Sequence, residues 1–314
     1  MSLTTENSAS FASPSIIGDA SPGDYFALLK PRVMSLVMWT ALAGVLCAPT
    51  SVHPVIGFAA LLSIAVGAGA AGALNMWWDA DIDALMARTR LRPVPDGRIK
   101  PGEARAFGLT LALLAVVTLA VTTNFLAAGL LAFTIFFYVV IYTMWLKRLT
   151  PLNIVIGGAA GALPPVVGYA AASGTVGLDI LSLFAVIFFW TPPHFWALAL
   201  VKSGDYARAG VPMLPNVKGA ARTRTEILVY SLVVAPLGLT PWLTGLGGPL
   251  YAVAAAIAGV GMVVMALRVY RIRKGAAANR AAMQMFGFSI VYLFALVALL
   301  IVERGLAAIA HGIW

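Results

Sequence analysis

This sequence is poor in charge. Only 11% of its 314 residues are charged while 61% are hydrophobic, and the mean hydropathy is +0.92. Such a balance excludes an ordinary water-solvated domain. Cysteine is nearly absent too: Cys47 stands alone, inside an apolar run, so one chain can build neither a disulfide framework nor a thiolate metal site, and there is no Cys-x-x-Cys-His motif. Residues 1–29 hold Glu6, Asp19 and Asp24 but no lysine or arginine. That start lacks the basic character of a transit peptide or signal sequence and is expected to be a disordered cytoplasmic tail.

What is there is apolar and long. Runs of spanning length fall at 33–51, 54–78, 106–123, 125–146, 152–172, 179–201, 226–244, 249–267 and 284–303. Segments near twenty residues, rather than alternating stretches of ten, predict an all-α polytopic membrane protein and exclude a β-barrel, because each span must satisfy its own backbone. Nine transmembrane helices in one domain over 30–314 are therefore expected. Glycine and proline inside the runs, as at 157–169, suit helices that pack closely or bend beside a cavity.

The 21 lysines and arginines explain the net charge of +9 once they are placed. Lys30 and Arg32 precede the first run. Six basic residues lie between the second and third, Lys147 and Arg148 between the fourth and fifth, five between the sixth and seventh and five between the eighth and ninth. All but Arg304 share one side, so the N-terminus is expected in the cytoplasm and the C-terminus in the periplasm. Topology thus accounts for the charge without nucleic acid. The two long connections, 79–105 and 202–225, share the cytoplasmic side four helices apart. With the likeness of "LLKPRV" to "WLKRLTPL", this suggests two four-helix pseudo-repeats plus a ninth helix.

Three of the twelve acidic residues, Asp79, Asp81 and Asp83, crowd the cytoplasmic end of the second run. Asn75, Asp79 and Asp83 are spaced four apart and project from one helical face, with Asp81 nearly opposite. Carboxylates at a helix C-terminus repel one another and its dipole, so a cation belongs there; oxygen donors without nearby His or Cys suit Mg²⁺ shared with substrate phosphates. The plainer alternative is a solvated helix end paired with Arg88, Arg90 and Arg92. Asp205 occupies the corresponding place after the sixth run, and a metal–diphosphate assembly between the two would use basic neighbours as clamps.

"NMWWDADID" followed by "RTRLRPVPDGRI" resembles the intramembrane UbiA prenyltransferases over nearly the whole chain. The resemblance implies nine helices around a central cavity and two cytoplasmic aspartate motifs that hold Mg²⁺ against an isoprenyl diphosphate. The matching metal ligands are Asn75, Asp79 and Asp83, with Asp205 from the second motif. Asp79, Asp83 and Asp205 would be the catalytic carboxylates, and Arg88, Arg92, Lys147 and Lys202 the diphosphate clamps. "TPLNIVIGGAAGALPPVVGY", "WTPPHFWALAL" and "DYARAGVPMLP" are similar to the branch of the family whose acceptor is haem. That implies transfer of farnesyl from farnesyl diphosphate to a vinyl group of haem b in a bacterial inner membrane, with haem A synthase as a partner that takes the product. The second motif departs from the general pattern: Ala209 stands where another aspartate is usual, although Tyr206 fits the haem branch.

His194 is the one histidine inside a span and so a site hypothesis by default. It follows Pro192 and Pro193, which should break or kink the helix. Haem contact by His194 and Tyr206 is one reading; a neutral histidine bonded to a neighbouring helix is the other. Trp190 and Trp196 either flank a porphyrin or pack in the core. Two further functions remain open: a prenyltransferase with an aromatic acceptor, and a transporter, whose charged groups should instead sit at the midplane.

Overall fold

The structure, a computed structural model, describes residues 20–50 and 52–310. Within them the regular structure is helical, with no strand. In chain order the helices are α1 (Pro22–Leu28), α2 (Pro31–Cys47), α3 (Pro54–Trp78), α4 (Ala80–Leu85), α5 (Pro101–Thr122), α6 (Phe125–Leu149) and α7 (Asn153–Ser173). They continue as α8 (Leu178–Val201), α9 (Ser203–Arg208), α10 (Leu214–Val217), α11 (Gly219–Leu237), α12 (Thr240–Leu243), α13 (Pro249–Arg271) and α14 (Gly275–Ala310).

Among the described residues eight helices are long and apolar enough to cross a membrane by themselves: α3, α5, α6, α7, α8, α11 with its extension through α12, α13 and α14. The pair α1 and α2, bent by 58°, makes a ninth if taken as one span, so the expected nine holds only on that reading. Side chains on the outer faces are large and bare, with Phe125 86%, Val121 81% and Leu178 79% exposed; lipid, not water, is the solvent such surfaces tolerate. α5, α11 and α14 begin at Pro101, Gly219 and Gly275, ahead of their apolar runs. Hydropathy marks the part of a helix in lipid, and a helix of 36 residues such as α14 is about 54 Å long against a hydrocarbon core of about 30 Å.

Successive helices pack side by side, and α14 returns to touch both α2 and α8. The ring is thereby closed, with α2–α6 on one side, α7–α13 on the other and α14 at the seam. Across the first seam α2 and α7 nearly touch backbones: a Cβ on Gly44 would stand 2.0 Å from the Pro165 carbonyl oxygen, and one on Gly168 2.4 Å from that of Ala41. Between membrane helices close packing replaces the hydrophobic drive that lipid cannot supply, and only glycine permits this approach.

Two expectations change, and one exception is explained. Residues 22–28 are not part of a disordered tail: Ser21 and Asp24 form a reciprocal capping box on α1, Asp24 pairs with Arg98, and Leu28 is buried with Ala73, Met76 and Ile99. The rest of that tail, 1–19, lies outside the described residues. α8 runs unbroken through Pro192 and Pro193; neighbours on every side hold it while two ladder bonds are missing. Arg304, the exception to the charge pattern, is consumed structurally: it donates to the Leu246 and Gly245 carbonyls, while Glu303 accepts from the Gly248, Leu250 and Tyr251 amides at the start of α13.

Candidate active site

α3 ends at Trp78, but its hydrogen-bond ladder carries on into α4. The Asp79 amide donates to the Asn75 carbonyl at 2.9 Å and the Asp83 amide to the Asp79 carbonyl at 2.8 Å. The i, i+4, i+8 face therefore survives the joint, and Asn75, Asp79 and Asp83 are all buried, Asp79 completely. Asp81 points away, 62% exposed, in a two-pronged pair with Arg148. That hydrogen bond, aided by the guanidinium charge, lowers the Asp81 pKa below the usual carboxylate value.

Asn75 Nδ2 donates to Asp79 Oδ2 at 2.7 Å and to Thr143 Oγ1 at 2.9 Å, while its Oδ1 accepts from Lys30 Nζ at 2.5 Å. With its oxygen turned to Lys30, Asn75 positions Asp79. Lys147 pairs with Asp79 Oδ2, Arg148 stands 3.7 Å from Oδ1, and Arg92 holds Asp83 at 2.6 Å. Asp79 Oδ1 is buried without a hydrogen bond.

Two of these partners, Lys30 and Thr143, lie far away in sequence. Lys30 ends the turn after α1 and has φ 53°, the sole non-glycine residue with positive φ among the described residues; such strain persists only where the surroundings hold it. Thr143 lies in the π-helical stretch Phe137–Leu146 of α6, where its hydroxyl reaches the Tyr138 carbonyl, five residues back. Asn153, beside Lys147, is completely buried: its Nδ2 is directed at the Lys147 carbonyl and its Oδ1 has no partner. Charge pattern hinted at Lys30 only as a topology signal, and nothing local marked Thr143 or Asn153.

The second motif lies against the first. Ile82 and Met86 of the α4 segment share an apolar cluster with Ala199, Ala209, Val211 and Met213, and Tyr206 packs onto it. Ala209 is buried in that cluster, so an aspartate there would lie among apolar side chains. Asp205 pairs with Arg208 on its own helix. Burial raises the Tyr206 pKa, and the charges of Arg88 and Arg92 oppose the rise. Of the expected clamps, Arg92 and Lys147 sit on the acidic residues; Arg88 and Lys202 are exposed and make no ion pair among the described residues.

His194 is enclosed. Its ring stacks between Trp190, centroids 4.3 Å apart, and Phe286, 4.5 Å apart, and its Nδ1 lies 2.7 Å from Ser289 Oγ. Trp190 donates to the Ser289 carbonyl at 2.7 Å, and Trp196 is buried against Tyr230. Both tryptophans are core residues that join α8 to its neighbours. The Ser289 hydroxyl lies 2.7 Å from the Phe286 carbonyl; if it donates there, it accepts from Nδ1–H and leaves the Nε2 lone pair available.

A buried run of carboxylates laced with cations, at one end of a closed ring of apolar helices, is the equipment of an enzyme that handles an anionic leaving group beside lipid. The UbiA prenyltransferase family matches residues 37–304, and the chain belongs to that family. A protein of Beijerinckia indica named protoheme IX farnesyltransferase is 64% identical over 303 residues, which is 96% of this chain and 94% of that protein. One of the same name from Methylocella silvestris is 64% identical over 291 residues, 93% and 92% of the two chains. Among solved structures a digeranylgeranylglyceryl phosphate synthase superposes with a TM-score of 0.73 at 16% identity, covering 89% of this chain and 98% of that one. A UbiA homologue from Archaeoglobus fulgidus bound to GPP and Mg²⁺ does so at 0.62 and 17%, covering 88% and 99%. At those identities the likeness is one of fold.

Proposed function

We propose that this membrane enzyme transfers the farnesyl group of farnesyl diphosphate to a vinyl group of haem b, water completing the side chain of haem O. The observation that carries the reading is the Asn75–Asp79–Asp83 face with Lys30, Arg92 and Lys147 folded onto it; the names of the relatives select the acceptor. Among the described residues no three His, Cys, Asp or Glu side chains form an all-protein cage. Two carboxylates, one with a buried oxygen that accepts no hydrogen bond, are nevertheless the donor set for Mg²⁺ that completes its shell with water and substrate phosphate. Asp79 and Asp83 would hold the ion, and Asp205, which is not grouped with them among the described residues, would join them only as the diphosphate bridges the two motifs. An Mg²⁺ held there would supply positive charge against the departing diphosphate.

The chain's own residues do the rest. Lys147 and Arg92, paired with Asp79 and Asp83 here, exchange those carboxylates for phosphate oxygens when the substrate enters, so no charge is left uncompensated. Asn75 keeps Asp79 oriented throughout. Arg88 and Lys202, exposed at the rim, draw the diphosphate in, and the apolar bundle keeps water from the allylic cation. Tyr206 and His194 are assigned to the haem side, and haem A synthase to the next step.

Membranes containing the protein, given haem b, farnesyl diphosphate and Mg²⁺, should form haem O; EDTA should stop the reaction and Mg²⁺ restore it. Farnesyl diphosphate consumed only with an aromatic acceptor would overturn the haem assignment, and solute uptake into liposomes without its consumption would favour a transporter.

A further inference from the structure

α13 ends and α14 begins on the same membrane face as the acidic motif, as the alternation of spans requires. Between them lies a cleft of about 350 Å³, lined by Arg268 and Ile272 from the α13 side and by Ala276, Ala277, Arg280 and Gln284 from α14. Its walls are apolar, and the alanines leave room where larger side chains would close it.

The charges around it are one-sided. From Met265 to Gln284 the chain carries Arg268, Arg271, Arg273, Lys274 and Arg280 and no acidic residue. Some of the neighbouring cations are already used: Arg273 donates to the Tyr270 carbonyl and lies over its ring, and Arg224 donates to the Arg273 carbonyl. The two arginines in the cleft are not. Arg268 reaches only the Met265 sulfur, at 4.0 Å, and Arg280 makes no ion pair among the described residues. A topology signal requires basic residues on this face but not two guanidinium groups facing an alanine-walled recess between spans.

We infer that this cleft binds an anionic phospholipid, with its phosphate between Arg268 and Arg280 and the start of an acyl chain along Ile272 and the alanines. Cleft and ligand are both amphipathic: guanidinium forks match phosphodiester oxygens, and the apolar wall matches hydrocarbon, which inorganic phosphate would leave unused. Basic recesses between helices at the membrane surface are suited to this chemistry. The cleft is separate from the acidic motif, so none of its residues is assigned to the reaction.

The test uses the full-length protein in nanodiscs of phosphatidylcholine containing phosphatidylglycerol or cardiolipin. Native mass spectrometry and thermal stability are read for the wild type and for Arg268→Gln/Arg280→Gln. At roughly 1 kcal/mol for each arginine near the surface, or about fivefold, the double variant should retain the anionic lipid about 25-fold less well and lose the stabilisation that lipid confers. Haem O formation in a lipid-independent detergent assay should be unchanged. Inorganic phosphate, tested alone, should not reproduce the stabilisation. Equal lipid retention by wild type and variant, or equal stabilisation by inorganic phosphate, would overturn the assignment. Displacement of the lipid by farnesyl diphosphate would do so as well, and would make the cleft a substrate site. A double variant that fails to fold is replaced by Ala277→Leu, which fills the recess, retains both charges and should reduce retention likewise; unchanged retention would again overturn it.

Discussion

Asp79→Asn separates chemistry from structure at the centre of the acidic face. The side chain is fully buried, and the amide keeps its size. Its carbonyl can still accept from Asn75, which lies 2.7 Å from Asp79 Oδ2, and from Lys147. What disappears is one negative charge among Asp79, Asp81 and Asp83, set against Lys30, Arg92, Lys147 and Arg148. Breaking a buried pair costs about 3–5 kcal/mol. Lys147 is 17% exposed and keeps one acceptor, so a loss nearer 1–2 kcal/mol is expected, with the protein still folded. Activity should suffer more: losing one preorganised group that offsets charge on the leaving diphosphate costs about 10²–10³ in rate, or roughly 3–4 kcal/mol. Haem O formed by the purified variant is measured by chromatography across a Mg²⁺ titration, beside its melting curve. A folded variant with near wild-type turnover at low Mg²⁺ would refute the metal role. Equal collapse of stability and activity would show Asp79 to be a structural partner of Lys147.

Asn153→Leu removes a buried amide oxygen that has no partner but also the Nδ2 donor to the Lys147 carbonyl, so the two effects oppose and thermal stability should change by no more than about 1 kcal/mol; if Asn153 serves the site, haem O formation falls at least tenfold in the same protein, and unchanged turnover would make it an idle core residue. His194→Ala should weaken haem binding by titration while leaving farnesyl diphosphate affinity nearly intact, and equal loss of both would reduce His194 to packing between α8 and α14. Gly168→Val should leave little folded protein on size-exclusion chromatography, because its Cβ would lie 2.4 Å from the Ala41 carbonyl oxygen; a well-folded variant would refute the close α2–α7 contact. Reporters fused near Asp96 and after Trp314 should read cytoplasmic and external respectively, and matching readings would mean an even number of spans.

Two properties of this protein are local and can be read along the chain without its fold. Partition into lipid is additive along about twenty residues, so the spans were legible, as was the positive face. Helical spacing is equally local: Asn75, Asp79 and Asp83 had to share a face as long as the ladder continued, and it does. Helix ends in water were misplaced because polar turns carry no hydropathy signal, and the continuity of α8 through two prolines depends on neighbours that its own residues do not encode. Everything that completes the site comes from a distance. Lys30 meets Asn75 only because α1 is pinned by Leu28 and the Asp24–Arg98 pair; Thr143 and Lys147 arrive through a π-helical widening of α6; and Ala209 replaces a carboxylate where the second motif turns into apolar packing against Ile82 and Met86. His194 could be singled out as a buried ionisable group, but that its ring lies between Trp190 and Phe286 was decided by α14 folding back on α8. Electrostatic partners depend on through-space distance, and only the closed ring of helices sets that distance.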